Sequence, residues 1–174
     1  LALLTPNATV KAVMDLDIER AGAVAQVCHG ATVYTDAMAM IADPAVEAVV
    51  IASPDPTHAE LAKACIAAGK PVLCEKPLAT KTADAKQVVD AEVAAGQRLV
   101  QLGFMREYDE AHCRVREIIH SGELGKPLYF RGTHTNLSED GPRTVEDVII
   151  NSAIHDIHSA RWLLGGTVAD MATR

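Results

Sequence analysis

The run "PVLCEKPLA" at residues 71–79 sets a carboxylate, an ammonium and a ring-locked residue directly after a short apolar stretch. If 71–74 is a buried strand, Lys76 sits at its carboxyl end, the edge where open α/β sheets bind ligands. The proline that follows keeps Lys76 out of the helical region and permits a cis bond. A lysine held there aims its ammonium into a crevice and polarises a substrate oxygen or stabilises an alkoxide. The same residue also fits a surface lysine with its stem laid on apolar atoms.

Three other segments could do chemistry. In "NSAIHDIHSARWLLG", residues 151–165, a helix puts Asn151 and His155 on one face, with His158 three residues further. Imidazole titrates near neutral pH, so a crevice-facing His155 suits a general base; a hydrogen-bonded structural histidine is the other reading. No metal is expected: Asp156 lies off the face of His155 and His158, and no fourth ligand stands nearby. In "ASPDPTH", residues 52–58, Ser53, Pro54 and His58 follow an apolar strand and are placed to line a cofactor crevice. Those residues also make an ordinary turn, with Thr57 capping the next helix. Asp15 ends the first strand-like run, where an acidic side chain accepts from a ribose 2′-hydroxyl and repels a 2′-phosphate, favouring NAD over NADP. A helix-capping role competes for Asp15, although Asp17 is better placed for it.

These residues need a sheet to position them, and the hydrophobic pattern supplies one. Strand-like runs at 10–14, 31–34, 46–53, 71–74 and 98–104 alternate with helical patterns at 17–28, 36–41, 57–69 and 82–96. The run at 46–53 is almost continuously apolar, as in a strand covered on both faces. Strand–helix alternation predicts βαβ units around a parallel sheet. Beyond residue 101 the character changes. A longer helix over 107–122 is followed by a strand over 126–136 and a helix ending in "ARWLLGG". The expected organisation is therefore a doubly wound α/β domain at 1–101 and part of a second α/β domain at 102–174. A doubly wound nucleotide fold should open with a strand and a Gly-rich loop, yet no G-x-G-x-x-G occurs. The second part ends after one strand and one helix. The sequence thus reads as an internal piece of a longer chain.

Bulk properties exclude several classes. The 174 residues are 49% apolar with a net charge of −7 and no basic stripe, which argues against nucleic acid or anionic membrane as partner. No run approaches the length of a membrane span, and the start lacks signal-peptide features. The four cysteines form no C-x-x-C pair and read as buried hydrophobes in a reducing, cytoplasmic compartment.

In order and spacing, "VKAVMDLDIERA", "VEAVVIASPDPTHAELAKACIAAGKPVLCEKPLA", "LVQLGFMREYD", "SGELGKPLYFRGTHTN" and "NSAIHDIHSARWLLG" together resemble the Gfo/Idh/MocA family of NAD(P)-dependent oxidoreductases. "GFMREYD" and "THTN" look most like its inositol 2-dehydrogenases. The resemblance implies a Rossmann domain joined to an open-faced α/β substrate and oligomerisation domain. It makes Lys76 the catalytic lysine and His155 the base that takes the hydroxyl proton. It puts Asp15 on the adenosine ribose and Pro54, His58 and Glu75 around the cofactor, NAD rather than NADP. It places Arg106, His134 and Asn136 against a polyol or sugar, and it implies a homodimer or homotetramer. Two positions depart from the pattern. Asn151 stands where these dehydrogenases usually carry Asp, and His158 where Asp is common, so substrate choice is expected to differ from myo-inositol. An aldose oxidoreductase and a non-catalytic dinucleotide-binding sensor remain the alternatives.

Overall fold

The computed structural model describes residues 7–135 and 144–170. The chain divides into two compact units, Leu1–Leu102 and Gly103–Arg174. Among the described residues no helix is long and apolar enough to cross a membrane.

In the first unit, β1 (Ala12–Met14), β2 (Thr32–Tyr34), β3 (Val49–Ile51), β4 (Val72–Cys74) and β5 (Val100–Leu102) alternate with α1 (Ile18–Val27), α2 (Ala37–Ala42), α3 (His58–Ala67) and α4 (Thr82–Ala95). Every pairing is parallel: β1 with β2, and β3–β4–β5 in that order. Parallel neighbours cannot be joined by a tight hairpin, so each crossover carries a helix. In the doubly wound order 3-2-1-4-5-6, β1 and β2 correspond to the second and third strands, and β3 to β5 to the fourth to sixth. That order sets one further strand between the two groups, and no described residue forms it.

Local chemistry explains the helix ends. The Asp17 carboxylate caps α1, accepting from the backbone N–H of Glu19 at 3.0 Å and of Arg20 at 3.1 Å. Gly96 closes α4 at φ +70°, a left-handed conformation that costs a residue with Cβ. Thr57, expected to cap α3, does not: its hydroxyl donates to the Pro54 carbonyl at 2.7 Å.

The core lies between β3–β5 and helices α3 and α4, with Val49, Ile51, Ala62, Cys65, Cys74 and Val88 at its centre. Here one expectation fails. Strand β3 is covered on one face only, because Ile51 is 3% exposed while Val50 is 65% exposed. Successive strand residues point to opposite faces, and α3 and α4 cover only one of them. All four cysteines are free. Burial pushes the Cys65 thiol up to about 11 and the Cys74 thiol up to about 12, so both stay protonated and act as packing groups.

The second unit holds a 3-10 turn at Met105–Tyr108, then α5 (Glu110–Ser121), α6 (Val145–Val148), a π-helical turn at Ile149–Ala153 and α7 (Ile154–Leu164). Helix α5 packs on α7, with the Arg116 guanidinium 4.8 Å from the Trp162 ring centroid and His120 Nε2 3.1 Å from the Leu163 carbonyl. The strand expected over 126–136 is not formed in its described part, residues 126–135. Residues 126–135 lack regular structure, and Leu128 is 92% exposed. A lone extended segment has no neighbour to take its N–H and C=O groups, so no ladder forms.

The one-sided sheet makes a paired prediction. Ile51→Ala should destabilise the protein by about 2–5 kcal/mol, the usual range for emptying a packed core site. Val50→Ala, one residue away, should cost less than about 0.5 kcal/mol. Urea-unfolding midpoints of the two variants check this, and equal losses would mean that both faces are packed.

Candidate functional site

In the first unit the candidate residues gather along the carboxyl ends of the parallel strands. After β1, Asp15 Oδ1 accepts from the Asp17 N–H at 2.9 Å, and Oδ2 lies 3.4 Å from Arg20 Nη1. The cap of α1 belongs to Asp17, which leaves the half-exposed Asp15 carboxylate with lone pairs facing outward. That donor set fits a ribose diol, which needs an acceptor at a strand end. The Arg20 pair is too exposed to hold Asp15 firmly.

After β3, Thr57 Oγ1 stands 2.6 Å from Ser53 Oγ. The Thr57 proton is already on the Pro54 carbonyl, so the Ser53 hydroxyl donates to Thr57 and keeps its lone pairs. Pro54 is exposed beside it. His58, expected to line the crevice, is only 1% exposed. Its Nδ1 lies 2.7 Å from the Pro77 carbonyl and its Nε2 2.8 Å from the Ser53 carbonyl. Both ring nitrogens are thereby turned to backbone, a correction to the expected cofactor contact.

After β4, the Glu75 N–H continues the ladder to the Ile51 carbonyl at 2.9 Å, and its exposed carboxylate accepts from the Lys76 N–H at 3.3 Å. The Lys76–Pro77 peptide bond is cis. Lys76 is half-buried, Pro77 is buried, and no acceptor among the described residues of this unit holds the Lys76 ammonium.

The second unit builds its own polar cluster. Arg106, on the 3-10 turn, donates through Nη1 to Asp156 Oδ1 at 2.6 Å, Ser159 Oγ at 3.0 Å and the His155 carbonyl at 3.2 Å. The other Asp156 oxygen meets His134 Nδ1 at 3.3 Å. Burial raises the Asp156 carboxyl, but the Arg106 hydrogen bond and charge, helped by His134, outweigh it and hold the group below the ordinary carboxylate value. Gly132 permits this contact, since a Cβ there would come within 3.3 Å of Asp156 Cβ. His155 is buried on α7, edge-on to the Phe104 ring at 6.3 Å. His158 stacks flat on Phe104 at 3.8 Å and places Nε2 2.8 Å from Glu107 Oε1.

Several expected site residues therefore have partners inside this unit. Arg106 and His134, expected against a polyol, and His158, expected to bear on substrate choice, are each held by an acidic side chain. Asn151 lies exposed in the π turn, where the wider i→i+5 winding offsets it from the plain four-residue stacking on His155. Asn136 lies outside the described residues. Sequence reasoning missed Phe104, Glu107 and Ser159, and it gave Asp156 no partner. No local spacing announces a pairing between Arg106 and Asp156, which are fifty positions apart.

Parallel strands with helical crossovers and an acidic residue at the carboxyl end of β1 fit a dinucleotide-binding α/β module. Comparison with known proteins agrees. Residues 2–104 match a family described as "Oxidoreductase family, NAD-binding Rossmann fold", and residues 112–173 match the GFO/IDH/MocA C-terminal domain. The chain belongs to the Gfo/Idh/MocA oxidoreductase family. It is 50% identical over 97% of its length to an inositol 2-dehydrogenase of Rubrobacter xylanophilus, covering 48% of that protein. It is 44% identical over 91% of its length to inositol 2-dehydrogenase 2 of Saccharopolyspora erythraea, covering 47% of it. Among solved structures, the Lactobacillus casei myo-inositol dehydrogenase in complex with NAD(H) and myo-inositol superposes with a TM-score of 0.88 at 34% identity, over 95% of this chain and 49% of that one. The chain thus spans about half the length of the relatives it matches.

His158 gives a pH prediction. Burial lowers its imidazole pKa, and the Glu107 charge and hydrogen bond oppose this without winning. The neutral ring donates Nε2–H to Glu107, while Nδ1 has no hydrogen-bond partner among the described residues. A folded pKa below the unfolded value of about 6.5 means that the unfolded chain binds this proton more readily. The stabilising contribution is complete above that pH and is lost as pH falls through it toward the folded value. His158→Phe should therefore flatten the decline in urea midpoint on acidification from neutral pH. An unchanged slope would show that His158 does not carry the decline.

Proposed function

We propose that the full-length protein is an NAD-dependent dehydrogenase that oxidises a secondary alcohol on a cyclic polyol or sugar of the inositol class. The observation that carries this reading is the Lys76 ammonium at the carboxyl end of β4, half-buried and unclaimed by any acceptor among the described residues of its own unit. The similarity to inositol 2-dehydrogenases over almost the whole chain supports the substrate class.

In this reading the Lys76 ammonium stabilises the alkoxide that develops at the substrate oxygen. The His155 imidazole takes the hydroxyl proton, and the carbinol C–H bond breaks with its electron pair as the carbonyl forms. The nicotinamide, when bound, supplies the hydride acceptor. Asp15 orients the adenosine ribose through its outward lone pairs, and the charge of its carboxylate disfavours a 2′-phosphate. Ser53 and Pro54 form the wall of the cofactor site. Arg106 holds α7 in place through Asp156, Ser159 and the His155 carbonyl. Asn151 supplies a hydrogen bond in place of a carboxylate, so it adds no negative charge to favour imidazolium at His155. Assembly into a homo-oligomer is part of the same proposal.

Incubating the full-length protein with a panel of inositols and aldoses, each with NAD and with NADP, tests the reading by absorbance of the reduced cofactor. NAD-linked turnover of at least one inositol is expected. Turnover confined to aldoses would move the assignment to a sugar dehydrogenase, and NADH binding without any turnover would replace it with a dinucleotide sensor. Lys76→Ala should lower kcat by about 10²–10³-fold, as loss of one oxyanion-stabilising donor does. Its NADH affinity should stay close to that of the parent, and unchanged kcat would remove Lys76 from the mechanism.

A further inference from the structure

From the buried histidine at the start of α3, we infer that His58 is a positioning residue that locks the Lys76–Pro77 turn to the Ser53 turn. The inference rests on the dehydrogenase reading for its catalytic consequence, but its geometry stands apart from it. His58 is 1% exposed, and its ring reaches the Pro77 carbonyl through Nδ1 at 2.7 Å and the Ser53 carbonyl through Nε2 at 2.8 Å. These two carbonyls belong to the segments that leave β4 and β3, neighbouring parallel strands whose ladder ends at the Glu75 N–H to Ile51 carbonyl bond. Beyond that bond no backbone pairing joins the two segments among the described residues. The imidazole spans the gap where the ladder stops.

A buried ring in this position cannot be exchanged for an apolar one without cost, because the carbonyls would be left facing hydrocarbon. It also has little freedom, being fixed at the first turn of α3, whose Ala59, Ala62, Cys65 and Ile66 are packed in the core. The ring therefore ties both backbone segments to the core, beside the packing of Leu78 and Ala79 that already anchors the segment after Pro77. One segment carries Lys76 in the adjacent position to the anchored Pro77. The other carries the Ser53–Pro54 wall. Both partners are carbonyl acceptors, so the ring donates to the two together only with a proton on each nitrogen; each N–H then governs one segment, and the two arms are separable by chemistry. An asparagine carboxamide reaches the place of Nδ1 and a glutamine carboxamide that of Nε2.

The experiment compares His58→Asn and His58→Gln in the full-length protein, each first checked for a cooperative melt. His58→Gln keeps the Ser53 arm and frees the Lys76 turn. Its kcat should fall by about a hundredfold, the scale of a 1 Å misplacement of a reacting group, with a smaller change in NADH affinity. His58→Asn keeps the Pro77 arm. Its NADH affinity should weaken by about tenfold, the equivalent of one hydrogen bond, with a smaller change in kcat. Either variant alone decides the matter if the other does not fold. A His58 that merely fills space would lower both melting temperatures and leave no opposite split between kcat and affinity, and that result overturns the inference. Should the parent protein turn over no polyol, the dehydrogenase reading fails and the Lys76 arm is read by the rate of Lys76 acylation with acetic anhydride, followed by mass spectrometry. A rate altered in His58→Gln and not in His58→Asn then supports the inference, and equal rates reject it.

Discussion

Parallel pairing of β3, β4 and β5 is the constraint on which the first unit depends. Parallel strands satisfy their backbone groups only if the chain crosses back between them, and the crossover must bury its own apolar face. Helices α3 and α4 do both, so the strands all run the same way and all end at one edge. Ser53, Glu75 and Lys76 lie at strand ends for that reason, and Asp15 follows β1, whose parallel partner β2 is reached through α1. The strands are only three residues long, and the ladder gives out just where these side chains begin. Past that point the segments are held by side-chain contacts, among them the packing of Leu78 and Ala79 on the core and the buried His58 ring.

The second unit solves a similar problem with charge in place of a ladder. Its longest continuous helical stretch, α6 through the π turn to α7, carries His155 and is anchored by one guanidinium. Arg106 brings one nitrogen, Nη1, to a backbone carbonyl, a carboxylate and a hydroxyl on α7, and its permanent charge strengthens the bond to the carboxylate. Asp156 answers with its second oxygen on His134, which draws the extended segment after α5 onto the same helix. Phe104 between His155 and His158 completes the wall. The resulting cluster is polar yet mostly paired, the condition under which buried polar groups are tolerated.

Much of this was legible from residue order. The strand–helix alternation, the Gly96 and Gly122 helix stops and the strand-end positions of Asp15 and Lys76 follow from period, turn chemistry and chain direction, all of which are local. Three readings failed for non-local reasons. The apolar run around Val50 suggested burial on both faces, but coverage depends on which helices pack against the sheet. The run at 126–136 has strand composition, yet a strand exists only with a partner. His58 has the sequence position of a crevice residue, while its orientation is set by carbonyls that only the folded neighbours bring near.

By itself, then, the sequence determined the strand–helix alternation of the first unit and its parallel architecture, because these rest on side-chain period and backbone stereochemistry. Tertiary structure decided which polar side chains remain unclaimed. His58, Arg106 and His158 each carry donors suited to a ligand, and each is held by a protein acceptor distant in sequence. Lys76 has no such acceptor among the described residues of its unit. Desolvation and pairing depend on distances across the fold, and no local spacing in the chain encodes them.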